Sequence, residues 1–110
     1  MIERRNTHRF LFEAPIELTI GATQDRIAAI TTDVGLHGCF VKTVFSFPVG
    51  SMVKVKIVER QRSFSATGEV MYVLTREGMG IRFLNVKAMD FAILEEWVAE
   101  QNCEPLLLHS

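Results

Sequence analysis

Val53-Lys54-Val55-Lys56-Ile57 alternates apolar and basic residues without a break. A period of two puts the three apolar side chains on one face and both lysines on the other, the pattern of a half-buried strand with a basic outer face. Glu59-Arg60-Gln61-Arg62 follows as a charged hairpin connection. Beyond it Phe64, Ala66, Gly68, Val70 and Tyr72 share one parity across a longer strand. Gly68 in the middle of that run marks a bend or a bulge. Thr75-Arg76-Glu77-Gly78 turns the chain again, and Met79, Ile81 and Phe83 then alternate with Gly80 and Arg82 in a last strand.

The same period runs upstream. From Pro15, the residues Ile16, Leu18 and Ile20 alternate with Glu17 and Thr19. Gly21 to Asp25 is a turn, Arg26 to Thr32 a second strand, Asp33 to Gly38 a second turn, and Cys39 to Thr43 a third strand. Phe47-Pro48-Val49-Gly50 is a break, with Pro48 and Gly50 as punctuation. Downstream of Lys87 the period lengthens. Phe91, Leu94 and Val98 fall at helical spacing, Ile93 and Trp97 widen the stripe, and Glu95, Glu96 and Glu100 lie largely on other faces. Asn85 or Asp90 favours the start of this helix. Pro105 is expected to stop it. The Leu106-Leu107-Leu108 tail either packs on the domain or covers a dimer contact.

About six short strands with tight glycine-containing turns, then one helix, predict an all-β fold: a small six-stranded antiparallel β-barrel with a C-terminal α-helix. The expected layout is one domain over residues 1–110, with a basic arm at 1–12, the barrel at 13–86 and the helix at 87–102.

The bulk numbers narrow the function. A chain of 110 residues is one domain of common size, and 48% hydrophobic residues suffice for a core. The formal charge of −1 supplies no global field for a nucleic-acid polymer or a membrane surface, so any anion site has to be local. Exposed aromatics of the kind that stack bases do not interleave with the basic residues. No apolar run approaches the roughly 18 residues of a membrane span, and no apolar stretch stands behind the charges of Met1 to Asn6 as in a secretory signal. Two cysteines, Cys39 and Cys103, make neither a disulfide framework nor a zinc spacing. The setting reads as reducing and cytoplasmic, with Cys39 a buried inert thiol.

Catalytic chemistry finds little support. His8, His37 and His109 have no common metal-site spacing. The serines lack a His-and-acid constellation or a nucleophile elbow. Glu59, Glu95 and Glu96 read as solvated carboxylates, and both the phosphate-loop and the dinucleotide glycine patterns are absent. The chain reads as no enzyme, with no metal and no cofactor.

Two clusters remain. Arg4, Arg5 and Arg9 crowd the N-terminus, where the bland reading is a solvated tail. Guanidinium groups make bidentate contacts to phosphate and to the O6/N7 edge of guanine, and they stack on bases. Far away in sequence, Thr32-Asp33-Val34-Gly35-Leu36-His37-Gly38-Cys39-Phe40 combines an acid with two glycines. Glycine allows close backbone approach, and an Asp holds an arginine or accepts from guanine N1 and N2. Together these groups suit a guanine nucleotide with more than one phosphate charge.

Arg4-Arg5-Asn6-Thr7-His8-Arg9 resembles the R-x-x-x-R motif of PilZ domains, with Arg5 and Arg9 as its arginines and Arg4 as the extra one that often precedes them. Asp33-Val34-Gly35-Leu36-His37-Gly38 is similar to the family's second motif, [D/N]-x-S-x-x-G. Gly78-Met79-Gly80-Ile81-Arg82-Phe83 before a terminal helix also matches. The resemblance covers nearly the whole chain. It implies a small barrel that binds the bacterial second messenger cyclic di-GMP, with Arg5 and Arg9 as main ligand arginines, Arg4 beside them, Asp33 on a guanine and Gly38 giving close backbone approach. It also implies ordering of the arm on ligand binding and a protein partner in motility, adhesion or polysaccharide control. One position departs: the motif's serine is Gly35. A lost hydroxyl bond is worth about 0.5–1.5 kcal/mol, at most about a tenfold weakening, which leaves an expected affinity in the micromolar range. The alternative is a degenerate PilZ-like interaction module that does not bind nucleotide, suggested by Gly35 and the apolar segment from Trp97 to Leu108.

Overall fold

The computed structural model describes residues 9–109, with side chains described through Gln101. Arg4, Arg5 and most of the expected arm therefore lie outside the described residues, as do the side chains of Cys103 and Leu106-Leu107-Leu108. The elements are β1 (Arg9–Ile20), β2 (Arg26–Gly35), β3 (Gly38–Lys42), β4 (Met52–Glu59), β5 (Arg62–Leu74), β6 (Gly78–Asn85) and α1 (Ala88–His109). The six strands pair antiparallel in the order β1-β2-β3-β6-β5-β4, and β4 returns to β1 to close the barrel.

The inward face is the one that the period of two selects. Ile16 and Leu18, Val53, Val55 and Ile57, Phe64 and Val70, and Met79 and Ile81 are all buried. Lys54 and Lys56 point out. Closure leaves no unpaired edge, so every strand satisfies its backbone laterally.

Three features differ from the sequence expectation. β1 starts at Arg9, not Pro15. Residues 9–12, assigned by sequence to the arm, are barrel wall, because Phe10 and Leu11 pair with Val34 and Asp33 while Phe12 stacks on Trp97 with ring centroids 4.8 Å apart. β2 likewise runs on to Gly35, so the supposed six-residue turn shrinks to the connection Leu36-His37, pinned by the Phe83 N–H donating to the His37 carbonyl at 2.8 Å. The helix continues through Pro105, giving up the one backbone bond that a proline cannot donate.

Two irregularities turn side chains to the face opposite the one that strict alternation predicts. Val70 pairs with Ile81 but Tyr72 with Gly80, so Met71 is an extra residue and Tyr72 faces outward instead of into the core. The second, in β2, falls at the site described below. The bulge expected at Gly68 is present as a register shift between Thr67 and Gly68, with the extra residue on β6.

Helix α1 seals one end of the barrel with Leu94 and Trp97, which are 0% and 1% exposed. The Trp97 ring also meets Phe64, and its Nε1–H donates to Glu59 Oε1 at 3.0 Å. Arg62 donates to Glu59, Glu96 and Glu100 at 2.8–3.1 Å and lies over the Trp97 ring at 5.9 Å. Glu59 and Glu96, read from the sequence as solvated carboxylates, thus share one guanidinium across hairpin and helix. Glu100 and Glu96 hold the Arg62 pKa above its ordinary value, and Arg62 holds that of Glu100 below the usual carboxylate range. Asp90 Oδ1 in the first helical turn accepts the Ser65 N–H at 2.8 Å, fixing the helix start to β5.

Candidate functional site

The outer face of β1-β2-β3-β6-β5 carries two rungs of interest. In the first, Arg9 lies opposite Gly35, Gly38 opposite Arg82, and Arg82 opposite Glu69. In the second, Leu11, Asp33, Phe40, Gly80 and Tyr72 follow one another across the sheet.

Asp33 reaches this face through the irregularity in β2. Thr31 pairs with Val41 and Asp33 with Phe40, which leaves Thr32 as the extra residue. Thr31 and Val34, three apart, both point inward at 0% and 2% exposure. Without the bulge, Asp33 would share the inward parity of Thr31. The buried Thr31 hydroxyl stitches the irregularity by donating to the Phe40 carbonyl at 2.8 Å, with the Asp33 carbonyl 3.2 Å from the same oxygen. The sequence reading missed Thr31, since a threonine in a strand carries no local sign of such a bond.

Arg9 faces a residue without a side chain and leans diagonally to Asp33. Its Nη1 donates to Asp33 Oδ1 at 3.2 Å, and each side chain is 30% exposed. At that exposure the pair adds at most about 1 kcal/mol to stability. Its main effect is orientation: the bond to Asp33 spends one of the five guanidinium N–H groups.

On the other side of the two glycines, Arg82 Nη2 donates to Glu69 Oε1 at 3.1 Å. Gly35 and Gly38 therefore form a low saddle between two carboxylate-held guanidiniums. Arg9 and Arg82 stand three strands apart, about 14 Å between Cα atoms at the usual inter-strand spacing. Arg82 was legible as an outward residue of the last strand, but its place across from Gly38 comes from β3–β6 pairing, which joins strands distant in sequence.

Gly38 also has a structural duty. A Cβ there would collide with the Ile81 carbonyl oxygen of β6 and crowd Arg82 Cα at 3.3 Å. Gly38→Ala is therefore expected to destabilise the protein by about 1–3 kcal/mol through overpacking, read as a lower midpoint in urea. A midpoint equal to the wild type would mean that the two strands part without cost. Loss of ligand binding in this variant alone would not report a ligand contact.

Beyond the second rung the face opens into a groove of about 770 Å³ lined by Glu13, Ile30, Thr32, Phe40, Lys42 and Arg76 among others. Behind the saddle Cys39 is fully buried, and burial pushes its thiol pKa up to about 12. It is a neutral core group and no nucleophile. His37 is exposed at the turn, while His8 and His109 lie outside the described side chains. Among the described residues no group of three His, Cys, Asp or Glu side chains is placed to hold a metal ion, and no helix is long and apolar enough to cross a membrane.

The structure thus brings together Arg9, Asp33, Gly35 and Gly38 from the predicted set and adds Arg82 and Glu69. Arg4 and Arg5 precede the described residues.

Comparison with known proteins agrees with this fold. A search of curated proteins finds no match. Among solved structures, the Bacillus subtilis inhibitor of motility (MotI/DgrA) superposes with a TM-score of 0.74 at 14% identity, covering 87% of this chain. The chain spans about half of that protein, 50% of its length. The PilZ domain of CeSA from a cellulose-synthesising bacterium superposes with a TM-score of 0.67 at 15% identity, covering 84% of this chain and 96% of that one. At these identities the likeness is one of fold. The family model for the PilZ domain matches residues 3–100, so the chain, with its closed barrel and terminal helix, belongs to the PilZ domain family of cyclic di-GMP receptors.

Proposed function

We propose that this protein binds cyclic di-GMP on the saddle face and acts as a non-enzymatic receptor or adaptor. The observation that carries the reading is the Arg9–Asp33 pair beside Gly35, with Asp33 turned outward by the bulge in β2. Arg5 and Arg9 take phosphate oxygens and guanine edges, with Arg4 beside them. Asp33 keeps its second oxygen for guanine N1–H or N2–H, and Gly35 and Gly38 let the ligand lie against the backbone. Arg82 faces the same saddle and supplies a further cation. Ligand binding orders the segment before Arg9 over the barrel and so changes the surface offered to a protein partner, the kind of control that suits motility, adhesion or polysaccharide synthesis. A homodimer is compatible with this scheme.

Isothermal titration with cyclic di-GMP tests it. A micromolar dissociation constant is expected, and the absence of heat at high micromolar protein in low salt would sink the proposal. Gly35→Ser is the sharper variant. It restores the hydroxyl of the family motif beside Arg9, and the affinity is expected to tighten by up to about tenfold, the equivalent of one added hydrogen bond. Unchanged or weaker binding would show that the saddle is not where the ligand sits. Of the apolar C-terminal segment behind the non-binding alternative, Trp97 is buried against the barrel and offers no docking surface.

A further inference from the structure

A second charged concavity lies between the outer face of β4 and β5 and the start of α1. It shares no lining residue with the arginine site and does not depend on the cyclic di-GMP reading. Two cross-strand rungs form its floor: Glu17, Lys56 and Ser65, then Thr19, Lys54 and Thr67. The wall is the segment Asn85 to Asp90, and the groove measures about 680 Å³.

Its charge is unbalanced. Lys54, Lys56 and Lys87 make no ion pair among the described residues. Of the two carboxylates in the lining, Glu17 pairs with Arg26 at 3.3 Å and Asp90 accepts the Ser65 N–H at 2.8 Å within the groove, so three ammonium groups face two carboxylates. The groove therefore presents three unpaired ammonium groups, with threonine and serine hydroxyls between them, on a chain whose net charge is −1.

Its rim is apolar. On β4 the outward residues run Met52, Lys54, Lys56, Val58, with Met52 49% and Val58 39% exposed, and Met89 at the helix start is 84% exposed. Exposed apolar side chains around a cationic centre suit a protein surface better than a free anion, which would use only the centre. Lys54 and Lys56 stand about 6.6 Å apart along the strand, which is the spacing of alternate side chains in any extended peptide.

From this arrangement we infer that the groove is a docking site for an extended acidic segment of a partner protein, with carboxylates at alternate positions on Lys54 and Lys56 and flanking apolar residues on Met52, Val58 and Met89. The barrel is closed, so the segment binds through side chains and adds no strand to the sheet.

Fluorescence anisotropy with a fluorescein-labelled peptide of alternating glutamate and serine, flanked by leucines, tests this on the full chain. Saturable binding that weakens as salt is raised is expected. The doubly substituted Lys54→Glu/Lys56→Glu protein should bind about tenfold or more weakly, and a glutamine version of the peptide should bind weakly to both proteins. Both substituted lysines point away from the core, so circular dichroism of the variant should match the wild type, and its cyclic di-GMP titration should be unchanged. Absence of peptide binding by the wild type overturns the inference. So does equal binding by the charge-reversed protein, or displacement of the peptide by inorganic pyrophosphate or phosphatidylglycerol vesicles at lower concentration than by unlabelled peptide. A cyclic di-GMP titration that fails while the peptide binds would overturn only the function proposed for the saddle.

Discussion

Arg9→Ala is expected to weaken cyclic di-GMP binding by at least tenfold and to leave the fold almost unchanged. Arg9 Nη1 spends one bond on Asp33, and in the proposed site its remaining donors serve the ligand. A hydrogen bond to a charged group contributes about 1.5–3 kcal/mol, a factor of roughly ten to a hundred in affinity. Truncation has a second effect. It leaves the Asp33 carboxylate without its cation, facing a ligand with two phosphate charges. Because Asp33 also accepts from guanine in the proposed site, Arg9→Ala/Asp33→Ala should bind no better than Arg9→Ala alone. Stability should move little, because an ion pair with both side chains 30% exposed is worth at most about 1 kcal/mol. Calorimetric titration of the wild type and the two variants beside their urea midpoints separates these terms. Wild-type affinity in Arg9→Ala would remove the proposed site. If Arg5→Ala loses binding and Arg9→Ala does not, Arg9 is a strut for Asp33 and no ligand contact.

Trp97→Ala should have the largest effect on stability, about 3–5 kcal/mol, a large share of the 5–15 kcal/mol that holds a typical domain together. The ring is 1% exposed and sits between Phe12 of β1 and Phe64 of β5, so its removal opens a cavity between helix and barrel. Glu59 loses the indole N–H at the same time but keeps Arg62. Trp97→Phe should be intermediate, because it restores most of the packing and none of the hydrogen bond. The consequence reaches the site, since Phe12 is three residues from Arg9 on the same strand. A loosened start of β1 weakens the pairing of Arg9 with Gly35, so Trp97→Ala is also expected to bind ligand less tightly at temperatures where it remains folded. A denaturation shift below about 1 kcal/mol would contradict the docked position of α1.

Much of the fold was legible because strand burial is a local signal. Ile16 and Leu18, or Val53, Val55 and Ile57, announce their inward face by spacing alone, and Phe91, Leu94 and Trp97 announce a helix with a buried stripe. The strand ends were misjudged where composition pointed elsewhere. Arg9 looked like part of a basic tail, and Asp33-Val34-Gly35 looked like a turn because acid and glycine usually mark one. Both segments are strand because they pair with each other, and that partnership spans more than twenty residues. Of the site, the residue types were legible from the two motif segments, whereas the parts of Glu69 and Thr31 and the place of Arg82 across from Gly38 were not.

By itself, the sequence determined the number and polarity of the strands, the terminal helix and the family to which the motifs point. Each of these follows from side-chain periodicity or from residues close together in the chain. Only the tertiary structure decided that β3 lies beside β6 and that β4 closes on β1, which sets Arg82 across the glycines from Arg9. It also decided which way Asp33 points. Strict alternation would have buried that carboxylate, and the extra residue Thr32, stitched by the Thr31 hydroxyl, turns it out to meet Arg9. Register between distant strands is set by how the whole barrel closes around its core, a collective packing condition that no local stretch of sequence encodes.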